Sequence, residues 1–135
     1  MVYSLVYVSA AADHLTSLDL RRLLKQSRAS NAATGVTGLL IHRGATFLQF
    51  IEGEQERVES LYRSIQRDER HRDVTTVRRR EQPARQFPDW SMAYGDHDPR
   101  STDPVAVESP PPDGPRVQTR TEAVFVRDLL ELFDP

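Results

Sequence analysis

The chain has 135 residues, a formal net charge of −2 and no cysteine. That length is one domain with room for a short appendage, and the lack of cysteine excludes disulfides, thiolate chemistry and Cys-based metal sites. No window approaches the roughly 18 apolar residues of a membrane span, and no basic leader precedes the apolar N-terminus, so a cytoplasmic protein is expected.

Charge and composition change together along the chain. Residues 1–95 carry 14 Lys/Arg against 11 Asp/Glu, and residues 96–135 carry 4 against 9. Asp96 to Arg120 holds six of the nine prolines, Pro110-Pro111-Pro112 among them, and reads as an extended linker. The expected organisation is a folded domain over 1–95, a Pro-rich linker over 96–120 and an amphipathic helix over 121–135.

Val2 to Val8 alternates as a strand, with Tyr3, Leu5 and Tyr7 on one face. Thr16, with Asp19 three residues on, is a capping-box signal. The helix that follows places Leu20, Leu23, Leu24 and Ser27 at helical spacing and is expected to reach about Ala29, leaving Ser30 to Thr34 as a loop. Val36 to Ile41 and Thr46 to Ile51 read as a hairpin joined at His42-Arg43-Gly44-Ala45. In its second strand Phe47, Gln49 and Ile51 share one face, and Thr46, Leu48 and Phe50 share the other. Glu54 opens a second helix marked by Val58, Leu61, Tyr62 and Ile65, with acidic residues early and Arg63 and Arg67 late, as the helix dipole favours. A charged turn from Arg67 to Arg72 closes it. Val74 to Arg80 and Phe87 to Tyr94 read as strands. Val126, Leu129, Leu130 and Phe133 form an apolar stripe on a terminal helix, with Thr119 and Glu122 as its cap.

The order β-α-β-β-α-β with an extra fifth strand is an α+β, ferredoxin-like arrangement. It places both helices on one face of a mixed sheet, against Leu5, Tyr7, Phe47 and Gln49, and leaves space for a flat ligand between them. Its first and third strands are neighbours, so the Tyr7 hydroxyl can meet the Gln49 amide. Gln49 is the odd polar member of its strand. It serves either as a half-wet glutamine or as an amide set in an apolar wall to address a polar ring. Asn31 is an ordinary loop asparagine or a donor–acceptor for a heteroaromatic edge. Arg70 and His71 are a solvated basic helix end or contacts for phosphate or ribityl oxygens. Trp90 and Met92 share a strand face as core or as a gate. His71 has no second histidine at ligand spacing, so no metal is expected. Arg78-Arg79-Arg80 with Arg85 reads as a charged edge strand, with nucleic-acid binding as a lesser alternative.

Taken together, LVYVSAA, DLRRLLKQSRASNAATGVTGLL, ATFLQFIEGEQERVESLYRSIQRDERH and FPDWSMAY resemble the BLUF domain, the flavin-based sensor of blue light, over about residues 1–95. The resemblance implies one noncovalent flavin, usually FAD, between the two helices. It implies Tyr7 as photochemical electron and proton donor, Gln49 as the amide linking that tyrosine to the flavin, and Asn31 at the pyrimidine edge. Leu23 and Ile65 match the residues that sandwich the ring; Ser27, Arg28, Asp68, Arg70 and His71 match positions near its edge or tail. Trp90 and Met92 match a pair that exchanges places during signalling. Light would leave a changed hydrogen bond at Gln49, by rotation or tautomerisation, and a small red shift. Ser30-Asn31 stands where some relatives carry two asparagines. The expected protein is a photoreceptor without enzymatic output, signalling through a partner protein or self-assembly as a dimer or larger oligomer. It would use neither nucleic acid nor membrane. The rival is a light-independent flavin or small-ligand binding module of the same fold.

Overall fold

The computed structural model describes residues 1–11, 16–43, 45–87, 92–96, 107–108, 127–129 and 131. Its elements are β1 (Val2–Ala11), α1 (Ser17–Thr34), β2 (Thr37–Arg43), β3 (Thr46–Gly53), α2 (Gln55–Arg67), β4 (His71–Gln82), β5 (Ala93–Asp96) and β6 (Val107–Glu108). They form one mixed sheet in the order β4-β1-β3-β2-β5-β6. The antiparallel β1–β3, β1–β4 and β2–β3 pairs give the ferredoxin-like core, and β5 extends it by pairing parallel to β2. The two-residue β6 pairs antiparallel with β5, Tyr94 opposite Glu108, and so lies on the sheet inside the stretch read as linker.

The Thr16–Asp19 capping box is complete. The Asp19 N–H donates to Thr16 Oγ1 and the Thr16 N–H to Asp19 Oδ2, both at 3.1 Å. Helix α1, however, continues through Ser30 to Thr34, so Asn31 sits in its last turn and not in a loop. The stop is Gly35, whose φ of 74° supplies the left-handed cap and whose N–H, with that of Val36, donates to the Asn31 carbonyl. Small polar residues mimic a loop by composition, but Ala32 and Ala33 propagate a helix and glycine ends it.

Other boundaries differ from expectation as well. His71 opens β4, opposite Ala11, and does not end the second helix. Helix α2 stops at Arg67, where Asp68 turns the chain by accepting the Arg70 N–H on Oδ1 at 3.0 Å, an aspartate turn that local sequence rules assign to a charged helix end equally well. Strand β4 is longer than Val74 to Arg80 because it pairs along the length of β1, with register shifts near Tyr7 and Val8. Phe87 is not in a strand; β5 begins at Ala93. Phe87 instead stacks edge-on to Phe50, at 5.8 Å between ring centroids, and its N–H donates to the buried Glu52 carboxylate at 2.7 Å.

Leu5, Tyr7, Phe47 and Ile51 face the helices and pack with Leu24, Val58 and Tyr62. The opposite face is dry too: Val6, Leu48 and Phe50 are fully buried. Residues 127–129 are helical, with Leu129 buried and Arg127 and Asp128 exposed. Val126, Leu130, Phe133, Thr119, Glu122 and Trp90 lie outside the described residues.

Candidate functional site

The two helices run in opposite directions, because each returns the chain between parallel strands that lie on either side of an antiparallel neighbour. Between them lies a cavity of about 340 Å³, within the usual size range of small-molecule sites. Helix α1 lines it with Leu23, Gln26, Ser27, Ser30, Asn31 and Thr34, and α2 with Arg57, Ser60, Leu61, Ser64 and Ile65. Leu40 and Gln49 form its sheet side; Asp68, Arg70 and His71 form one end. Each helix contributes a stripe at spacings of three and four. The sequence reading missed Gln26, Ser30, Thr34, Arg57, Ser60, Leu61 and Ser64 as lining residues; the helical periodicity could have found Gln26 and the four on α2, whereas Ser30 and Thr34 lay in the stretch read as a loop. Leu40 carries no signal beyond its strand.

Behind the cavity is a three-member chain of polar contacts. Tyr7 is fully buried and directly opposite Gln49 in the β1–β3 register. Its hydroxyl donates to Gln49 Oε1, and Gln49 Nε2 donates to Met92 Sδ at 3.4 Å. Gln49 is 5 % exposed, so it is not half-wet: both ends of its amide are engaged in a dry wall beside the cavity. Burial, then Tyr62 and Asp68, raise the Tyr7 phenol well above its ordinary value, which keeps the proton on the hydroxyl. Arg28 is not among the lining residues. Its Nε donates to the Met92 carbonyl at 2.9 Å, tying α1 to the backbone of the residue whose sulfur Gln49 contacts.

His71 and the arginine beside it play different parts. His71 is buried, its Nδ1 lies 2.9 Å from Ser9 Oγ, and its ring is edge-on to Tyr7 at 6.1 Å. Burial lowers its pKa against the opposing pull of Asp68, so a neutral ring faces the cavity. Arg70 pairs with Asp68 at 2.6 Å and donates to Gln26 Oε1 at 2.7 Å, closing a clasp from the α2–β4 turn to α1. That hydrogen-bonded pairing holds the Asp68 carboxyl below the usual range.

The cavity suits a flat, polar-edged ring. Leu23 and Ile65 provide apolar walls from opposite helices, while Gln49 and Asn31 bring amides to its inner side. Asn31 is 1 % exposed, and its Oδ1 is buried without a hydrogen bond, although the residue has other contacts. A ligand edge with an N–H donor fits that oxygen.

The BLUF profile, described as sensors of blue-light using FAD, matches residues 2–93. The chain is 36 % identical over 90 residues to photoactivated adenylate cyclase subunit beta of Euglena gracilis, covering 66 % of this chain and 10 % of that protein. It is 31 % identical over 87 residues to the blue light- and temperature-regulated antirepressor BluF of Escherichia coli K12, covering 64 % of this chain and 22 % of that one. Among solved structures, the dark state of the BLUF protein BlrB superposes with a TM-score of 0.68 at 34 % identity, over 70 % of this chain and 72 % of the other. Klebsiella pneumoniae BlrP1 with FMN and cyclic diGMP superposes with a TM-score of 0.67 at 29 % identity, over 98 % of this chain and 30 % of that one. The chain thus spans about a tenth of the length of the cyclase subunits it matches.

Proposed function

Because the chain belongs to the BLUF family of blue-light sensors that use FAD, we propose that light acts on the contact chain Tyr7–Gln49–Met92 and that its rearrangement is the signal. Bound noncovalently in the cleft, FAD would supply an excited state that takes one electron from a neighbouring tyrosine and gives it back on recombination, so that neither partner is changed in oxidation state. Tyr7 is the donor: it is buried, protonated and one hydrogen bond from Gln49. Gln49 is the switch. Turning its amide exchanges Oε1 and Nε2, so the oxygen now faces Met92 Sδ, which has no proton to give. The Tyr7 hydroxyl loses its acceptor at the same time. Met92 is thereby released from Gln49 while Arg28 still holds its carbonyl, and the sheet edge around β5 repacks as a population shift. Trp90, two residues before Met92, is the second member of that transmission.

In the same reading Leu23 and Ile65 sandwich the ring, and Asn31 takes its pyrimidine edge. Ser27, Asp68, Arg70 and His71 border its edge or tail, and Arg28 acts through Met92. Residues 1–95 are the sensing domain, 96–120 a linker and 121–135 an amphipathic helix. The protein performs no enzymatic turnover itself. It works in the cytoplasm and passes its state to a downstream protein, as a homo-oligomer, through a changed sheet edge. The carrying observation is the fully engaged, dry Gln49 amide between Tyr7 and Met92. A lit-minus-dark spectrum of the purified, FAD-loaded protein tests the reading. A small, reversible red shift is expected; no light-dependent change at full flavin occupancy overturns it.

A further inference from the structure

The cleft contains two arginines at opposite ends, in different electrostatic states. Opposed helix directions set the C-terminal half of α1, with Asn31 and Thr34, level with the N-terminal half of α2, which carries Arg57. The middle of α1 meets the other end, beyond the C-terminus of α2, through the Gln26–Arg70 hydrogen bond. Arg70 is compensated by the Asp68 carboxylate. Arg57 lines the cavity and makes no hydrogen bond or ion pair among the described residues. With His71 held neutral by burial, Arg57 is, among the described lining residues, the one whose charge has no partner at ion-pair distance.

We infer that Arg57 is a charge-tuning residue, an exposed guanidinium lining the Asn31 end of the cleft that stabilises negative charge arriving on the pyrimidine side of the flavin. This rests on the proposed placement of Asn31 at the pyrimidine edge. The electron comes from Tyr7 and the charge accumulates at the ring. Arg57 donates neither electron nor proton and acts only through its field, which is strengthened by the low dielectric on the sheet side and weakened by its own exposure to water. The pairing of Arg70 with Asp68 makes the other end of the cleft electrostatically neutral, so the field along the ring is directional.

The experiment is a dark redox titration of FAD-loaded protein, with flavin occupancy checked. Arg57→Gln should lower the midpoint potential by an amount equivalent to roughly tenfold in the reduction equilibrium, about 30 mV for a two-electron couple, and Arg57→Lys should restore most of it. An unchanged potential at equal occupancy overturns the inference. Affinities for FAD and riboflavin are compared in parallel. If Arg57→Gln weakens FAD binding but not riboflavin binding, the guanidinium serves the phosphates and the inference also falls. Should Arg57→Gln retain no flavin, the wild-type protein decides. Its potential should fall as ionic strength screens the exposed guanidinium, and a flat response overturns the assignment. Because the titration is done in the dark, it is independent of the lit-minus-dark test of the sensing mechanism.

Discussion

Gln49 is where the residue-scale physics is sharpest. A leucine there fits the apolar wall, yet it removes the acceptor of the Tyr7 hydroxyl and the donor to Met92. Gln49→Leu should therefore fold and keep FAD. It should leave a buried phenol unpartnered at a cost of about 1–3 kcal/mol and lose the light-induced red shift; a difference spectrum of wild-type size counts against Gln49 as the switch. Tyr7→Phe preserves volume and should bind FAD without a photocycle, checked by the same spectrum. His71 adds a pH dependence. Its folded pKa is lowered by burial, so below the ordinary histidine value of about 6.5 the unfolded chain binds more protons than the folded one. Its contribution is complete above that value and is lost as pH falls through it toward the folded pKa. The thermal midpoint should drop between pH 7.5 and 5.5, and His71→Asn should flatten that drop.

At the scale of elements, the hairpin that carries Gln49 depends on close backbone approach. A Cβ on Gly38 would stand 2.2 Å from the Phe50 carbonyl oxygen, and backbone cannot yield as a flexible side chain does. Gly38→Ala should therefore displace β2 from β3 and destabilise the domain by more than about 3 kcal/mol, beyond the usual range for a point mutation. Gly35→Ala meets no atom and is penalised only for its positive φ, by roughly 1 kcal/mol. Urea denaturation of the two variants should separate them, and equal midpoints would refute the clash. The same contrast explains what was legible in α1. Its start was spelled by Thr16 and Asp19, which act on each other three residues apart. Its end was not, because Ser30-Asn31 has the composition of a loop and the stop signal was one glycine, at Gly35. His71 was misplaced for a related reason: whether it ends a helix or opens a strand depends on whether β1 offers it a partner at Ala11.

For the whole molecule, the central strands β1 and β3 bury residues on both faces of the sheet, although only one face carries the two helices. Leu129 is buried while Arg127, Asp128 and Glu131 are exposed, so the Leu129 side chain is packed against the protein. Leu129→Ala should cost about 2–5 kcal/mol, measured by urea denaturation, and a cost under 0.5 kcal/mol would count against packing there. Charge favours such packing, since residues 96–135 are net acidic and residues 1–95 net basic.

The order of elements from β1 to β5, the faces of the central strands and the lining residues Leu23, Ser27, Asn31, Gln49, Ile65, Asp68, Arg70 and His71 were readable from the chain, by periodicities of 2 and 3.6 that encode which side chains share a side and by the family resemblance. Resemblance to a family supplied the ligand. Tertiary structure alone decided the rest. It engaged both ends of the Gln49 amide, turned Arg28 away from the cleft to hold Met92, and compensated Arg70 with Asp68 and Gln26 while leaving Arg57 uncompensated. These are pairings across 42 to 64 residues of sequence or choices among nearby partners. Local spacing says which way a side chain points; its partner depends on how strands and helices come together in space.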